Sequence, residues 1–526
     1  MSPFLDSGRF RTLSFFLLVL SPLLFLFLLK PVEQLYSDHL AKFVLGESIS
    51  RSGFVSGELE LPSSKLDPES EFCPTECIRI RGKIVSPFPV ALGFVYALIL
   101  PWGGITGVYV VNAILVSTTI FILSMLWRRN LLFLFILVFG SPFVVNGYFF
   151  PDVGLACLLF FSGVALVLKN RTRGSSLPFL FAGFLSASSG WFRIESIGFC
   201  LSFTAFLIFD AVRGSRDRIS VLGFSIGILL GLSFLIGMQT FFYGLPLGPR
   251  FSFNQPTMFL SPLAKLEIYR GLLFFSFNRL GFFAYMPLFF FLFWFSLYFL
   301  FSSRGFLRSQ EEAVDSTKGG NLLIQSGIAG FIGLVAAAPN DGIIDFGTRY
   351  LHLTIPCFAG FVLTFLDKLK SKPRWEKAGK ILVFCCILFS SYITVKYTSI
   401  LAKYGKRTTV LHKIYTEQKP DLIAVQIRTY SQILGENFFE VPCVTLFDGT
   451  SLDKFFLRND PGKFDKILFV QAKVLMDPAT LSEAPFVKNP YFNSVVSRLG
   501  NDFEPSLVGN LPDVIIFSMQ RKRIRQ

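Results

Sequence analysis

Nearly uncharged runs of about 18 residues or more recur along this chain, and no other feature limits its fold so strongly. At a helical rise of roughly 1.5 Å per residue, each run is long enough to cross the hydrocarbon of a bilayer. The chain has 526 residues, of which 52% are hydrophobic and 16% charged. A single water-soluble core of that composition would leave too little polar surface to face solvent. A polytopic integral membrane protein follows.

The first run, from about Leu13 to Leu29, comes after Arg9 and Arg11. Its exit through Leu28, Leu29, Lys30 and Pro31 lacks the small residues that a signal peptidase needs, so it reads as an uncleaved anchor. Later spans are expected near 105–126, 131–149, 153–168, 177–192, 194–209, 219–243, 281–302, 321–338, 350–366 and 381–399, about eleven spans in all. Charge then orients them. With a cytoplasmic amino terminus, alternate connections should be basic. They carry Arg128 and Arg129; Lys169, Arg171 and Arg173; Arg213, Arg216 and Arg218; Arg304, Arg308 and Lys318; and Lys368, Lys370, Lys372, Arg374, Lys377 and Lys380. The short opposite connections are mostly free of such clusters. A bacterial chain of this kind would sit in the inner membrane.

This orientation puts a long loop, 31–104, outside, together with the turns at Phe149–Asp152, Arg193 and 339–350 and the connection 244–280. The carboxy-terminal region from about Lys403 onward also lies outside. Its apolar stretches Leu422–Ile427, Val444–Phe447, Ile467–Val470 and Val514–Phe517 are bounded by turn residues and read as strands. The expected fold is therefore an all-α polytopic membrane domain over residues 1–400 and a small extracytoplasmic α/β domain over 401–526.

The formal charge of +15 is explained by the topology-setting clusters, and no nucleic-acid partner is implied. Among eight cysteines, Cys73 and Cys77 share a polar loop. With no second pair or His cluster to join them, a local disulfide or two free thiols fits better than a metal half-site. Phosphate-loop and zinc-protease motifs are absent, as is any period of 20–50 residues. The sequon Asn170-Arg171-Thr172 falls on the cytoplasmic side.

Acids and bases instead gather in the outer turns. Asp38 follows the first span and opens a short helix whose apolar residues 40, 43, 44 and 45 suggest an interfacial position. Ser37 and Asp38 suit the start of that helix as cap and dipole partner; Asp38 is equally suited to take a proton from an acceptor hydroxyl. Asp152 after Pro151 has the same two readings. Arg193 and Glu195 either hold a turn as an ion pair or mark a pathway. Arg349, and Lys83 with Arg79 and Arg81, either snorkel at the interface or grip a phosphate.

Taken in order, five segments resemble the GT-C superfamily of polyprenyl-phosphate-sugar-dependent glycosyltransferases, which includes protein O-mannosyltransferases and aminoarabinose transferases. They are Ser37-Asp38 with Gly53, Ser86-Pro87-Phe88-Pro89, Phe150-Pro151-Asp152, Trp191-Phe192-Arg193-Ile194-Glu195, and Phe346-Gly347-Thr348-Arg349-Tyr350. The resemblance covers roughly residues 10–400. It implies a GT-C-like fold and a lipid-phosphate-linked sugar as donor, with Asp38 as catalytic acid or base and Asp152 as a second acidic site residue. Arg349 and Lys83 would bind the donor phosphate, with Arg193, Glu195 and His39 in support. Pro87-Phe88-Pro89 replaces the family's Pro-Pro, and His39 stands where a second acid is expected, which leaves the acceptor and any divalent cation unassigned. The alternatives are a flippase or transporter of lipid-linked saccharides and a non-catalytic membrane protein with a partner-binding exterior.

Overall fold

The computed structural model describes residues 8–170, 176–212, 218–258, 260–276, 279–301, 317–338, 349–473 and 490–522. Outside them lie the segment carrying Phe346, Gly347 and Thr348 and the basic positions Arg171, Arg173, Arg213, Arg216, Arg304 and Arg308. The chain divides into two compact units, one of Met1–Leu28 and Gly107–Ile400, the other of Leu29–Thr106 and Leu401–Gln526. The exterior loop expected at 31–104 is thus grouped with the carboxy-terminal region, and the helical unit is shorter than residues 1–400.

Six described helices are long and apolar enough to cross a membrane, or eight if each bent pair is one span. The bent pairs are Phe10–Val19 with Ser21–Leu28, at 50°, and Leu131–Val138 with Phe143–Phe149, at 54°. The remaining expected spans form shorter helices at Ser176–Ser188, Ser196–Val212 and Pro287–Phe301.

Where lipid is the solvent, apolar helices gain little from burying more apolar surface, and close backbone approach decides which ones pair. Helix Arg218–Tyr243 places Gly223, Gly227 and Gly231 at four-residue spacing, so all three line one stripe. That stripe lies against helix Ser176–Ser188. A Cβ on Gly227 would run into the Leu180 carbonyl oxygen, and one on Gly183 into that of Phe224. Gly163, in helix Pro151–Lys169, likewise leaves room for Ser186. The three helices are stacked through these glycines.

The second unit contains helix Asp38–Arg51, a hairpin of Ile78–Ile80 and Lys83–Val85, and a five-stranded sheet. The hairpin turns through Arg81 and Gly82, both at positive φ (50° and 82°), the pairing that a two-residue turn favours. The sheet order is Cys443–Thr445, Leu422–Val425, Lys466–Ala472, Val514–Arg521, Phe503–Asn510. The first three strands are parallel and the last two join antiparallel. Its core packs Phe455, Phe469 and Phe517, the last two stacked at 5.2 Å.

Residues 66–73 are built into this domain. Phe72 lies in its core, and the Phe72 carbonyl accepts from Thr445 N at 2.8 Å. The Thr445 hydroxyl donates to the Cys73 carbonyl at 3.0 Å, and Asn459 Nδ2 to the Leu66 carbonyl at 2.9 Å. Cys73 and Cys77 form a disulfide.

Helix Asp38–Arg51 differs from the expected interfacial helix. Residues from Asp38 to Gly46 are buried, together with Ser48 and Ile49, so no broad face is left for a membrane surface. The cause is packing on several sides. Gly93 has Leu45 and Ile49 of this helix at 2.7 and 2.5 Å from its notional Cβ, and Phe43 meets Phe439 at 6.5 Å. Ser37 makes no side-chain cap bond and instead adopts φ 49°, a conformation that L-residues rarely take.

Gly227→Ala should lower the thermal midpoint of the detergent-solubilised protein, because overpacking of this kind costs about 1–3 kcal/mol. Gly237→Ala, with open space around it, should leave the midpoint unchanged or raise it slightly. Equal behaviour of the two variants would contradict the glycine-stripe packing.

Candidate active site

In the helical unit, three of the resemblance segments meet. Pro151 occupies the first turn of helix Pro151–Lys169, where its missing N–H costs nothing. Asp152 follows in the first turn and is 4% exposed. Its Oδ2 accepts from Arg193 Nη1 at 2.9 Å, while Arg193 Nη2 donates to Glu195 Oε1 at 3.2 Å. Arg193 is 8% exposed. Burial alone works to lower its pKa, and the carboxylates of Glu195 and Asp152 outweigh that, so the net shift is upward and the guanidinium stays charged.

The turn that presents Arg193 is held from behind. Its N–H donates to the Ser189 carbonyl at 3.0 Å. Trp191 Nε1 donates to the Gly231 carbonyl at 3.0 Å, and its ring lies 4.7 Å from that of Phe234. The Arg193 guanidinium stands 5.4 Å over the Tyr350 ring, and that of Arg349 stands 4.9 Å over the Phe150 ring. These are cation–π distances, and they account for the aromatic residues beside each charge.

Arg349 begins the 3₁₀ turn Arg349–Thr354. Three residues per turn place Arg349 and His352 on one edge. Both line a narrow cleft with Arg193, Glu195 and Ser196, with room for about one water. His352 also lies against Gly147 and Gly154, in a gap too narrow for water, and its ring stacks on Phe143 at 4.6 Å. The lining holds two guanidinium groups and one carboxylate, and the Asp152 carboxylate paired with Arg193 brings these four charges into balance.

Asp38, His39 and Lys83 belong to the other unit. Asp38 is 8% exposed at the first position of its helix. His39 is buried, with Tyr36 edge-on at 6.0 Å. Burial and then the neighbouring Tyr404 push the Tyr36 hydroxyl pKa upward. Lys42, one helical turn beyond Asp38, is fully buried with its ammonium 5.2 Å from the Phe88 ring centroid. The Asp38 helix and the Ser86-Pro87-Phe88-Pro89 segment therefore touch there. Lys83 is exposed on the hairpin beside Arg79 and Arg81, unlike the enclosed cations of the helical unit.

Two residues went unassigned in the sequence, Lys42 and His352. Each was signalled by helical spacing, Lys42 four residues after Asp38 and His352 three after Arg349. Among the described residues, no three His, Cys, Asp or Glu side chains gather as a metal site. No family model matches the chain, and no curated protein does.

Arg193→Ala takes the shared cation from the buried Asp152 carboxylate and the partly exposed Glu195 carboxylate. Losing one partner of a buried pair costs about 3–5 kcal/mol, so the variant should unfold at a markedly lower temperature. Arg193→Lys should recover only part of the loss, because one ammonium cannot reproduce the two-pronged geometry. A wild-type midpoint for Arg193→Ala would show that the pair contributes nothing.

Proposed function

We propose that the chain is a membrane glycosyltransferase that moves a sugar from a polyprenyl-phosphate donor to an extracytoplasmic acceptor. The observation that carries this reading is the cleft in which Arg193 and Arg349 stand together, fixed by the Asp152 and Glu195 carboxylates and by aromatic faces. A departing lipid phosphate needs preorganised cations in a water-poor site. In this reading Arg349 meets the phosphate, and Asp152 and Glu195 orient Arg193. Asp38 takes its role as base from the resemblance. Its carboxylate accepts the proton of the acceptor hydroxyl, whose oxygen attacks the anomeric carbon. The bond from that carbon to the phosphate oxygen breaks, and the electron pair leaves with the lipid phosphate.

The reading keeps eleven spans by counting the bent pairs and the three shorter helices, with the amino terminus cytoplasmic and the carboxy-terminal domain extracytoplasmic. The helix ends carrying Asp152, Arg193 and Arg349 then face outward. In the described apolar helices other than Pro373–Gln418, Asp, Glu, Lys and Arg fall near the helix ends; Pro373–Gln418 carries Lys396 in its interior. A transporter of lipid-linked saccharides calls for such groups near the midplane, so the transferase is preferred.

Purified protein incubated with a panel of polyprenyl-phosphate sugars and an acceptor extract should release polyprenyl phosphate. Arg349→Ala and Asp38→Asn should each reduce release at least about 100-fold, the usual scale for losing one charge-stabilising or proton-accepting group. Full transfer by Asp38→Asn would remove the assigned base. No release from any donor by the wild type would remove the enzyme.

A further inference from the structure

We propose that the turn between helices Ile355–Leu369 and Pro373–Gln418, with the helix face that follows it, binds an anionic glycerophospholipid of the phosphatidylglycerol type. The turn comes after the end of helix Ile355–Leu369, and the Arg349–Thr354 turn comes before its start. The helix between them is about 22 Å long, so the site is separate from the cleft and independent of the transferase reading. Residues 367–380 hold six cations against two acids, Asp367 and Glu376. Each acid takes one lysine: Asp367 pairs with Lys370 at 2.8 Å and Glu376 with Lys380 at 2.5 Å. Lys372, Arg374 and Lys377 are exposed and have no acidic partner among the described residues.

An apolar strip continues from these cations. Arg374, Lys377, Ile381, Phe384 and Leu388 follow one another at steps of three and four residues, so they share one helix face. Ile381, Phe384 and Leu388 are 54%, 62% and 54% exposed. Only 22% of the apolar stretch of this helix is buried, against 44–78% in the other five long apolar helices. Its strip therefore faces acyl chains more than protein. From Ile381 to Leu388 the strip runs about 10 Å, within the depth of one leaflet. Helical side chains lean toward the amino terminus, which carries the two cations away from the strip and toward the headgroups. Trp375, 65% exposed, stands at the same level, where indole rings settle. The turn is also fixed in place. Lys372 N donates to the Leu369 carbonyl at 2.9 Å, and a Cβ on Gly379 would meet Leu369 Cδ1 at 2.6 Å. A sidedness signal asks only for cations near the end of a span. Three unpaired cations on a fixed turn, two of them heading an exposed apolar strip, match the phosphodiester and the acyl chains of one molecule.

The test measures thermal unfolding of the delipidated full-length protein in detergent with three probes: dioleoylphosphatidylglycerol, dioleoylphosphatidylcholine and glycerol 3-phosphate. Phosphatidylglycerol should raise the wild-type midpoint by on the order of 2 °C more than phosphatidylcholine does, and glycerol 3-phosphate should leave it unchanged. In the triple variant Lys372→Gln, Arg374→Gln, Lys377→Gln that extra increment should vanish. In the double variant Arg128→Gln, Arg129→Gln, which takes two cations from another connection, it should persist. Lys377→Gln alone should lose part of the increment and serves if the triple variant does not fold. An undiminished increment in the triple variant overturns the site, as does a wild type that responds equally to both lipids. A comparable loss in the Arg128 and Arg129 variant overturns it in favour of general charge attraction. A response to glycerol 3-phosphate as large as that to phosphatidylglycerol overturns the lipid as ligand.

Discussion

Everything proposed for the cleft depends on one guanidinium shared between two carboxylates. Arg193 is buried, and a buried cation is tolerable only with partners. Asp152 and Glu195 supply them, and Asp152 stands 41 residues away in sequence. Meeting that requirement brings the start of one helix and the turn between two others to a common end of the bundle. The aromatic faces of Tyr350 and Phe150 then accommodate Arg193 and Arg349 where water is scarce. Two guanidinium groups and two carboxylates balance, so the cluster can stay charged without a net charge to neutralise.

Away from that cluster the helices meet on different terms. Their middles are apolar on every side and cannot choose partners by hydrophobicity. Gly163, Gly183 and the Gly223, Gly227, Gly231 stripe make the choice sterically, since each admits a neighbouring backbone or side chain that a methyl group would exclude. Charges gather the helix ends, and glycines set the contacts along their length.

Hydropathy made most of the spans legible, because the length needed to cross a bilayer is a local property of the chain. It read less well where a span bends, as around Ser141 and Pro142, or forms a short helix such as Ser176–Ser188. The charged residues of the cluster were also legible, but each admitted a local explanation. The Arg193–Glu195 pair across the turn was legible as well; the Asp152–Arg193 pair was not, because it is a tertiary contact that no spacing rule encodes. The Asp38 helix was located correctly and its environment was not. An apolar stripe does not reveal that the remaining faces are buried too. In the carboxy-terminal domain, four strands stood out by their apolar runs. Phe503–Asn510 did not, because it is an edge strand with Pro505 inside it and exposed residues along most of its length.

Phe72 and its neighbours complete a core whose other members begin at Leu422. The hydrogen bond from Thr445 to Cys73 joins residues 372 positions apart. During synthesis, the early segment must therefore wait for nearly the whole remaining chain before it finds its place. At a chain growth of about 5–20 residues per second, that interval lasts tens of seconds or more. Throughout it Phe72 has no final home, and a ribosome that stops short of the last strands leaves an amino-terminal segment unfinished.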